Sequence, residues 1–349
     1  MRGFTNLVRE NHLGEIRRLD QREALKNVIQ YCKENEVELL LIAGDLYEQK
    51  YIRRTTIEYV NELFKQISNT QILIVPGNHD PYIKNSFYNT FTWSPNVKIF
   101  NGDVEKFSYK DCDIYGFGFT DFYMERNKIS EIKIEDKSKI NILLTHGSLN
   151  ASDLIEKQYN PISQKELEES DFDYIALGHI HKQYYNSQEI PLIVYPGSLI
   201  SLGFDEQGEH GMIIGEIEER KINIDFLPID KKKFKEISID VTEIKSKEEI
   251  AEKINEQNIK DNEFIKIILI GKRKFDININ AIYKLTYNKN IIKIKDFTKI
   301  DYDIDTLSKE NTLRGIFIKN IIEKIKSEPE KKELYEKAIE IGLDAIDNS

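Results

Sequence analysis

Leu-Leu-Leu-Ile-Ala-Gly-Asp at residues 39–45 and Ile-Leu-Ile-Val-Pro-Gly-Asn-His-Asp at residues 72–80 share one pattern. Each is a short apolar run that stops at a glycine and then delivers side chains able to ligate a metal. Apolar runs of this length, closed by a turn residue, read as buried strands rather than helices. Strands are therefore predicted at 37–42 and 71–75, with helices at 21–34 and 55–66 ahead of them. Working outward, 113–117, 141–145, 174–177 and 192–195 read as further strands. A hairpin is predicted from 211–216 and 221–227 across Glu218-Glu219-Arg220. Alternation of strands with helical patterns up to about residue 228 predicts a layered α/β architecture.

The chain has six histidines, His12, His79, His146, His179, His181 and His210. Four of them follow predicted strands directly, and strand carboxyl ends in α/β folds open onto a common crevice. Imidazole combined with carboxylate suits Mn, Fe, Zn or Ni. Ala43-Gly44-Asp45 places a carboxylate at that rim, where a two-metal site needs a bridging oxygen. Pro76-Gly77-Asn78-His79-Asp80 adds an amide oxygen, an imidazole and a second carboxylate. Thr145-His146-Gly147 and Gly178-His179-Ile180-His181 complete the set. Any one of these could be an ordinary turn or core residue, but four in this order point to a metal centre. His210, in a polar loop between glycines, reads as a surface residue.

In this ordered set the chain resembles the calcineurin-like metallophosphoesterases, and among them the bacterial SbcD-like and YhaO-like DNA repair exonucleases. The narrower resemblance rests on three further features. These are Tyr195-Pro196-Gly197-Ser198 leading to the stretch 203–211, the small domain after Pro228, and Glu310-Asn311-Thr312-Leu313-Arg314-Gly315. It implies a layered metallophosphoesterase β-sandwich flanked by helices, with a small α/β capping domain and C-terminal helices. It also implies two divalent metal ions, Mn2+ by preference, and phosphodiester hydrolysis by a two-metal mechanism without a covalent enzyme intermediate. Asp45 would bridge the metals, Asn78, His146 and His179 would hold the second, and His181 the first. His79 would orient the scissile phosphate or protonate the leaving oxygen, supported by Asp80.

The family opens with an apolar strand running into Asp-x-His, both side chains serving the first metal. Here Val8-Arg9-Glu10-Asn11-His12-Leu13-Gly14 stands in that place. His12 keeps the expected Leu-Gly after it and remains the ligand candidate, while Glu10 occupies the aspartate's position with a side chain one methylene longer. Three explanations stand open: a weakly held first metal, an altered start, or drift toward a non-catalytic role.

Composition sets the remaining bounds. The 349 residues are 40% apolar and 32% charged, enough for one large and one or two smaller domains. Organisation is expected as 1–228 (phosphoesterase), 229–300 (DNA-handling cap) and 301–349 (helical). The first part carries 25 basic and 36 acidic residues, the second 17 and 12, and the last 8 and 12. An acidic domain fits cation binding, and a basic one could meet a phosphate backbone, although solvated surface lysine is the simpler explanation of so modest an excess. Cys32 and Cys112 show no paired spacing and read as buried thiols in a reducing compartment. The absence of a membrane-length apolar run, together with a polar start, predicts a cytoplasmic protein with no membrane association. The aromatics Tyr82, Phe87, Tyr88, Phe91 and Trp93 read as local core packing rather than a base-stacking loop.

The primary expectation is a metal-dependent DNA exonuclease acting in repair. The resemblance also implies an SbcC- or YhaN-like ATPase partner and a homodimer. The helical patterns 313–325 and 333–346 could dock that partner or pack back on the cap. The rivals are a catalytically weakened scaffold binding an ATPase or DNA ends, and a phosphatase or cyclic-nucleotide phosphodiesterase using the same ligands.

Overall fold

The computed structural model describes residues 4–186, 191–218 and 221–347, and side chains from residue 13 onward apart from those of 340, 344 and 347. The chain divides into two compact units. The larger comprises Leu7–Lys235 and Lys260–Phe264; the smaller comprises Met1–Asn6, Glu236–Ile259 and Ile265–Ser349.

The larger unit starts with α1 (Phe4–Glu34), β1 (Leu39–Ala43), α2 (Arg54–Lys65), β2 (Gln71–Val75), α3 (Phe87–Thr90) and β3 (Val97–Ile99). These strands form a three-stranded parallel sheet, β1-β2-β3. Helix α2 buries Ile57, Val60, Leu63 and Phe64 along one face, as their helical spacing dictates. A second, six-stranded sheet follows from β4 (Glu105–Tyr109), β5 (Cys112–Gly116), β6 (Ile140–His146), β9 (Tyr174–Gly178), β10 (Tyr184–Tyr185) and β11 (Leu192–Tyr195), in the order β10-β11-β9-β6-β5-β4. The short β7 (Ser148–Leu149) and β8 (Pro161–Ile162) pair outside it, and α4 (Gln164–Glu168) precedes β9. Every residue of β6 is buried, which suits a central parallel strand covered on both faces. Leu39, Leu41 and Ala43 of the first sheet pack against Ile142, Leu144 and Ala176 of the second, so the two sheets share one core. The unit closes with the hairpin β12 (Gly211–Glu218) and β13 (Lys221–Pro228), as its alternating pattern predicts.

The aromatics after Asp80 do belong to the core. Tyr88 is buried, and Tyr82, Phe87, Phe91 and Trp93 pack on the same cluster as Phe64. The segment ahead of His12 takes a form the family pattern does not suggest, because residues 4–34 are one helix. A buried central strand could not accommodate Arg9 and Glu10 side by side, whereas both are good helix formers. The side chains of Glu10 and His12 lie outside the described residues. Farther along α1, Arg17 is buried and forms an ion pair of 2.6 Å with Asp230, while donating to the Ser201 carbonyl at 2.6 Å.

In the smaller unit, β14 (Lys233–Asp240), which enters from the larger one, lies in a sheet ordered β14-β15-β17 with β15 (Glu263–Ile270) and β17 (Ile291–Asp296). Helix α5 (Lys247–Asn255) begins at Ser246, whose side chain accepts from Glu249 N–H, and α6 (Ile279–Leu285) at Asn278, which accepts from Ala281 N–H. Ile250, Ile254, Ile265, Ile267 and Ile282 form their common core. Two more strands, β16 (Lys272–Arg273) and β18 (Lys299–Ile300), pair beside them. Helices α7 (Ile304–Leu307), α8 (Leu313–Ser327) and α9 (Lys332–Asp347) follow, and α8 meets α9 through Ile318, Ile339 and Leu343. Pro329 opens the turn between them, where its missing N–H breaks the helix. Among the described residues, no helix is long and apolar enough to cross a membrane.

Candidate metal centre

Strand register brings the predicted ligands together. Strands β1 and β2 run parallel with Ala43 opposite Val75, so the turns carrying Asp45 and Asn78 leave the sheet at the same level. Strands β6 and β9 run parallel with His146 opposite Gly178, which puts His146 beside His179. Two of these ligand positions hold backbone that side chains seldom adopt, with φ of 56° at Asp45 and 96° at His179. Such strain of about 1–3 kcal/mol per residue persists where surrounding structure imposes it, typically at functional sites. Gly77 is required for the close approach, since a Cβ there would lie 2.2 Å from Asp45 Oδ1.

Four donor atoms face one another. His146 Nε2 lies 3.0 Å from Asn78 Oδ1 and 3.3 Å from Asp45 Oδ2, and His179 Nδ1 lies 3.1 Å from the same Asn78 oxygen. Asp45, His146 and His179 each offer a ligand atom within 4.8 Å of the others. On its far side, His146 Nδ1 contacts the Ala43 carbonyl at 2.7 Å, an acceptor that demands N–H there. The neutral ring therefore turns a bare lone pair on Nε2 toward two oxygens and a second imidazole. Donor atoms this close require a positive charge among them, which a proton on His146 Nε2 or a bound cation supplies. A divalent ion accepting imidazole, carboxylate and amide oxygen fits this donor set.

Ionisation follows from the same geometry. Burial acts to raise the Asp45 pKa, but the His146 charge and the His79 N–H outweigh it and take it down to about 2, so Asp45 stays anionic. Burial disfavours charge on His146, yet the Asp45 carboxylate reverses that and pushes its pKa above the ordinary value. His179 drops to about 4 through burial and repulsion from His146, and is neutral and ready to ligate. A metal must displace the proton that His146 holds in the metal-free protein. Divalent-metal affinity is accordingly expected to climb as pH rises through the imidazole range, with protons released on binding. Calorimetric titration in buffers of different ionisation enthalpy measures both; affinity that stays flat with pH would contradict this assignment.

The remaining predicted site residues are distributed differently. Asp80 is fully buried, and its carboxylate accepts from the backbone N–H groups of Asp45 (3.0 Å), Gly77 (2.7 Å) and Leu46 (2.6 Å) and from the Tyr88 hydroxyl (2.6 Å). It ties together the two loops carrying Asp45 and Asn78, instead of standing behind the His79 ring. The carboxylate on that ring is Glu48, whose Oε2 lies 2.7 Å from His79 Nδ1. Sequence reasoning passed over Glu48, although its position three residues beyond Asp45 in the same loop was a usable signal. His181 is not in the converging group but is near enough for the Asp45 charge to act on it. His210 is buried rather than surface, with 5% exposure. Of the two thiols, Cys32 is buried and Cys112 partly exposed.

Residues 11–183 match the calcineurin-like phosphoesterase family. The chain is 26% identical over 231 residues to the metallophosphoesterase YhaO of Bacillus subtilis, covering 64% of this chain and 56% of that protein. It is 26% identical over 261 residues to the SbcD component of the SbcCD nuclease of Staphylococcus epidermidis, covering 62% of this chain and 67% of that one. To the SbcD component of Staphylococcus saprophyticus it is 24% identical over 240 residues, with 60% and 63% covered. The matched stretch thus spans little more than half to two thirds of these relatives' lengths.

Proposed function

With residues 11–183 forming a calcineurin-like phosphoesterase domain, we propose that this chain is a metal-dependent phosphodiesterase that cleaves DNA, an exonuclease of the repair class. The observation that carries the reading is the convergence of Asp45, Asn78, His146 and His179, with their potential ligand atoms around one point. A divalent ion, Mn2+ by preference, supplies polarisation of a phosphate oxygen and acidifies water at neutral pH. The protein's own groups do the rest. Asp45, Asn78, His146 and His179 would hold one ion, and Asp45 with His181 would help hold a second. His79, half exposed and held through Nδ1 by Glu48, would use Nε2 to orient the phosphate or, as the imidazolium, to give a proton to the departing oxygen. Asp80 fixes both ligand loops from beneath. The nuclease components among the relatives, and the basic excess in residues 229–300, support DNA as the substrate. By the same reasoning the organisation is 1–228 for chemistry, 229–300 for handling DNA and 301–349 as terminal helices. The partner is an SbcC- or YhaN-like ATPase, homodimerisation is part of the same reading, and the setting is cytoplasmic.

A specific observation favours a second reading. Helix α1 stands where the first-metal motif belongs, and a chain holding one ion would act as a scaffold for the ATPase or for DNA ends. Hydrolysis of bis-p-nitrophenyl phosphate and of linear duplex DNA in MnCl2 separates the two. His79→Ala is expected to lower the rate roughly a hundredfold while leaving Mn2+ stoichiometry unchanged. No hydrolysis by the parent chain with Mn2+ demonstrably bound would establish the scaffold.

A further inference from the structure

Residues 198–210, between β11 and β12, hold a carboxylate against His181. Building on the phosphodiesterase reading, we propose that Glu206 is the positioning residue of His181, fixing its ring so that Nε2 is offered to a divalent cation.

Glu206 Oε1 lies 2.5 Å from His181 Nδ1. A carboxylate accepts there, so the one proton of the neutral ring is placed on Nδ1 and the lone pair on Nε2. His146 is set by the same logic, its Nδ1–H directed to the Ala43 carbonyl. Carboxylates and carbonyls behind ligating histidines fix the tautomer and raise ligand basicity.

Glu206 is not a chance surface contact. Holding a free glutamate in one rotamer costs side-chain entropy that an isolated exposed pair does not repay. Here the side chain is only 13% exposed and its other oxygen, Oε2, accepts from Leu202 N–H at 2.8 Å. Its carbonyl accepts from the Ser201 hydroxyl at 2.7 Å and from His210 Nε2–H at 3.0 Å. His210 Nδ1 in turn accepts from the Ser198 hydroxyl at 2.8 Å, and Ser198 N–H donates to the His181 carbonyl at 3.0 Å. The hydrogen bonds form a closed circuit that begins and ends at His181. Ser201 is anchored further by the buried Arg17–Asp230 pair, its N–H on Asp230 and its carbonyl on Arg17. Burial of His210 and Arg17, which the primary structure does not advertise, is explained by this circuit.

The test uses the full chain labelled with 15N-histidine, with His181 assigned by His181→Gln. Long-range 15N–1H spectra at about pH 9, where imidazoles are neutral, read the tautomer directly. The parent is expected to show His181 as the Nδ1–H form, Glu206→Gln to retain it through its amide oxygen, and Glu206→Ala to move to the Nε2–H form. Calorimetric titration with MnCl2 is expected to show one class of site in Glu206→Ala weakened roughly 10- to 100-fold, the other unchanged. A merely structural role would lower thermal stability without moving the tautomer. An Nε2–H ring in the parent, or an Ala variant that keeps both tautomer and Mn2+ affinity, overturns the proposal. Absence of hydrolysis with these spectra and titrations as expected would sink the nuclease reading and leave Glu206's role standing.

Discussion

Asp45→Asn is expected to cut Mn2+-dependent hydrolysis by about a thousandfold, because metal polarisation of the phosphate is worth several kcal/mol and each ~1.4 kcal/mol is a factor of ten. The substitution keeps the size of the side chain and removes its charge. Asp45 Oδ2 faces His146 Nε2 at 3.3 Å and Oδ1 accepts from His79 N–H at 2.9 Å, so in the proposed reading the same carboxylate would serve the cation and the loop that carries His79. Initial rates on bis-p-nitrophenyl phosphate, with Mn2+ occupancy followed separately, give the answer. A variant within about tenfold of the parent would remove Asp45 from the chemistry.

Asp80→Ala carries the largest expected effect on stability, about 5 kcal/mol in urea unfolding, because several buried donors lose their acceptor at about 1–3 kcal/mol each. Four of those donors are backbone N–H groups in the two ligand loops, those of Asp45, Leu46, Tyr47 and Gly77, and the fifth is the Tyr88 hydroxyl. Loss of Mn2+ binding should follow, since Asp45 and Asn78 would no longer be held at one level. Burial, and then repulsion from Asp45, raise the Asp80 pKa to about 6 in the metal-free protein. A carboxyl raised on folding favours the folded state most below its unfolded pKa, and that contribution disappears as pH rises through about 6. The metal-free parent should show this trend and Asp80→Ala should lack it. An Asp80→Ala chain with parental unfolding would show that the loops hold themselves.

Much of the centre was legible one residue at a time. Gly44-Asp45, Gly77-Asn78-His79-Asp80, Thr145-His146 and Gly178-His179 each announce a candidate ligand at a strand end, since an apolar run broken by glycine fixes where a strand stops and what comes next. Less legible was what each side chain would touch. Asp80 beside His79 looked like its support, but turns inward to the backbone of both loops, and Glu48 takes the ring instead. His210 looked exposed between its glycines, yet it is enclosed because its two nitrogens bridge Ser198 and Glu206.

By itself the sequence determined the donor chemistry, the strand ends that deliver it and the layered α/β plan, because local periodicity and residue type are properties of neighbours along the chain. Only the tertiary structure decided that Asp45, Asn78, His146 and His179 meet at one point. It also placed Glu206 behind His181 and residues 4–34 in a helix, because parallel register, loop backbone at φ values of 56° and 96°, and contacts between residues 25 to 101 positions apart arise from packing, not from spacing.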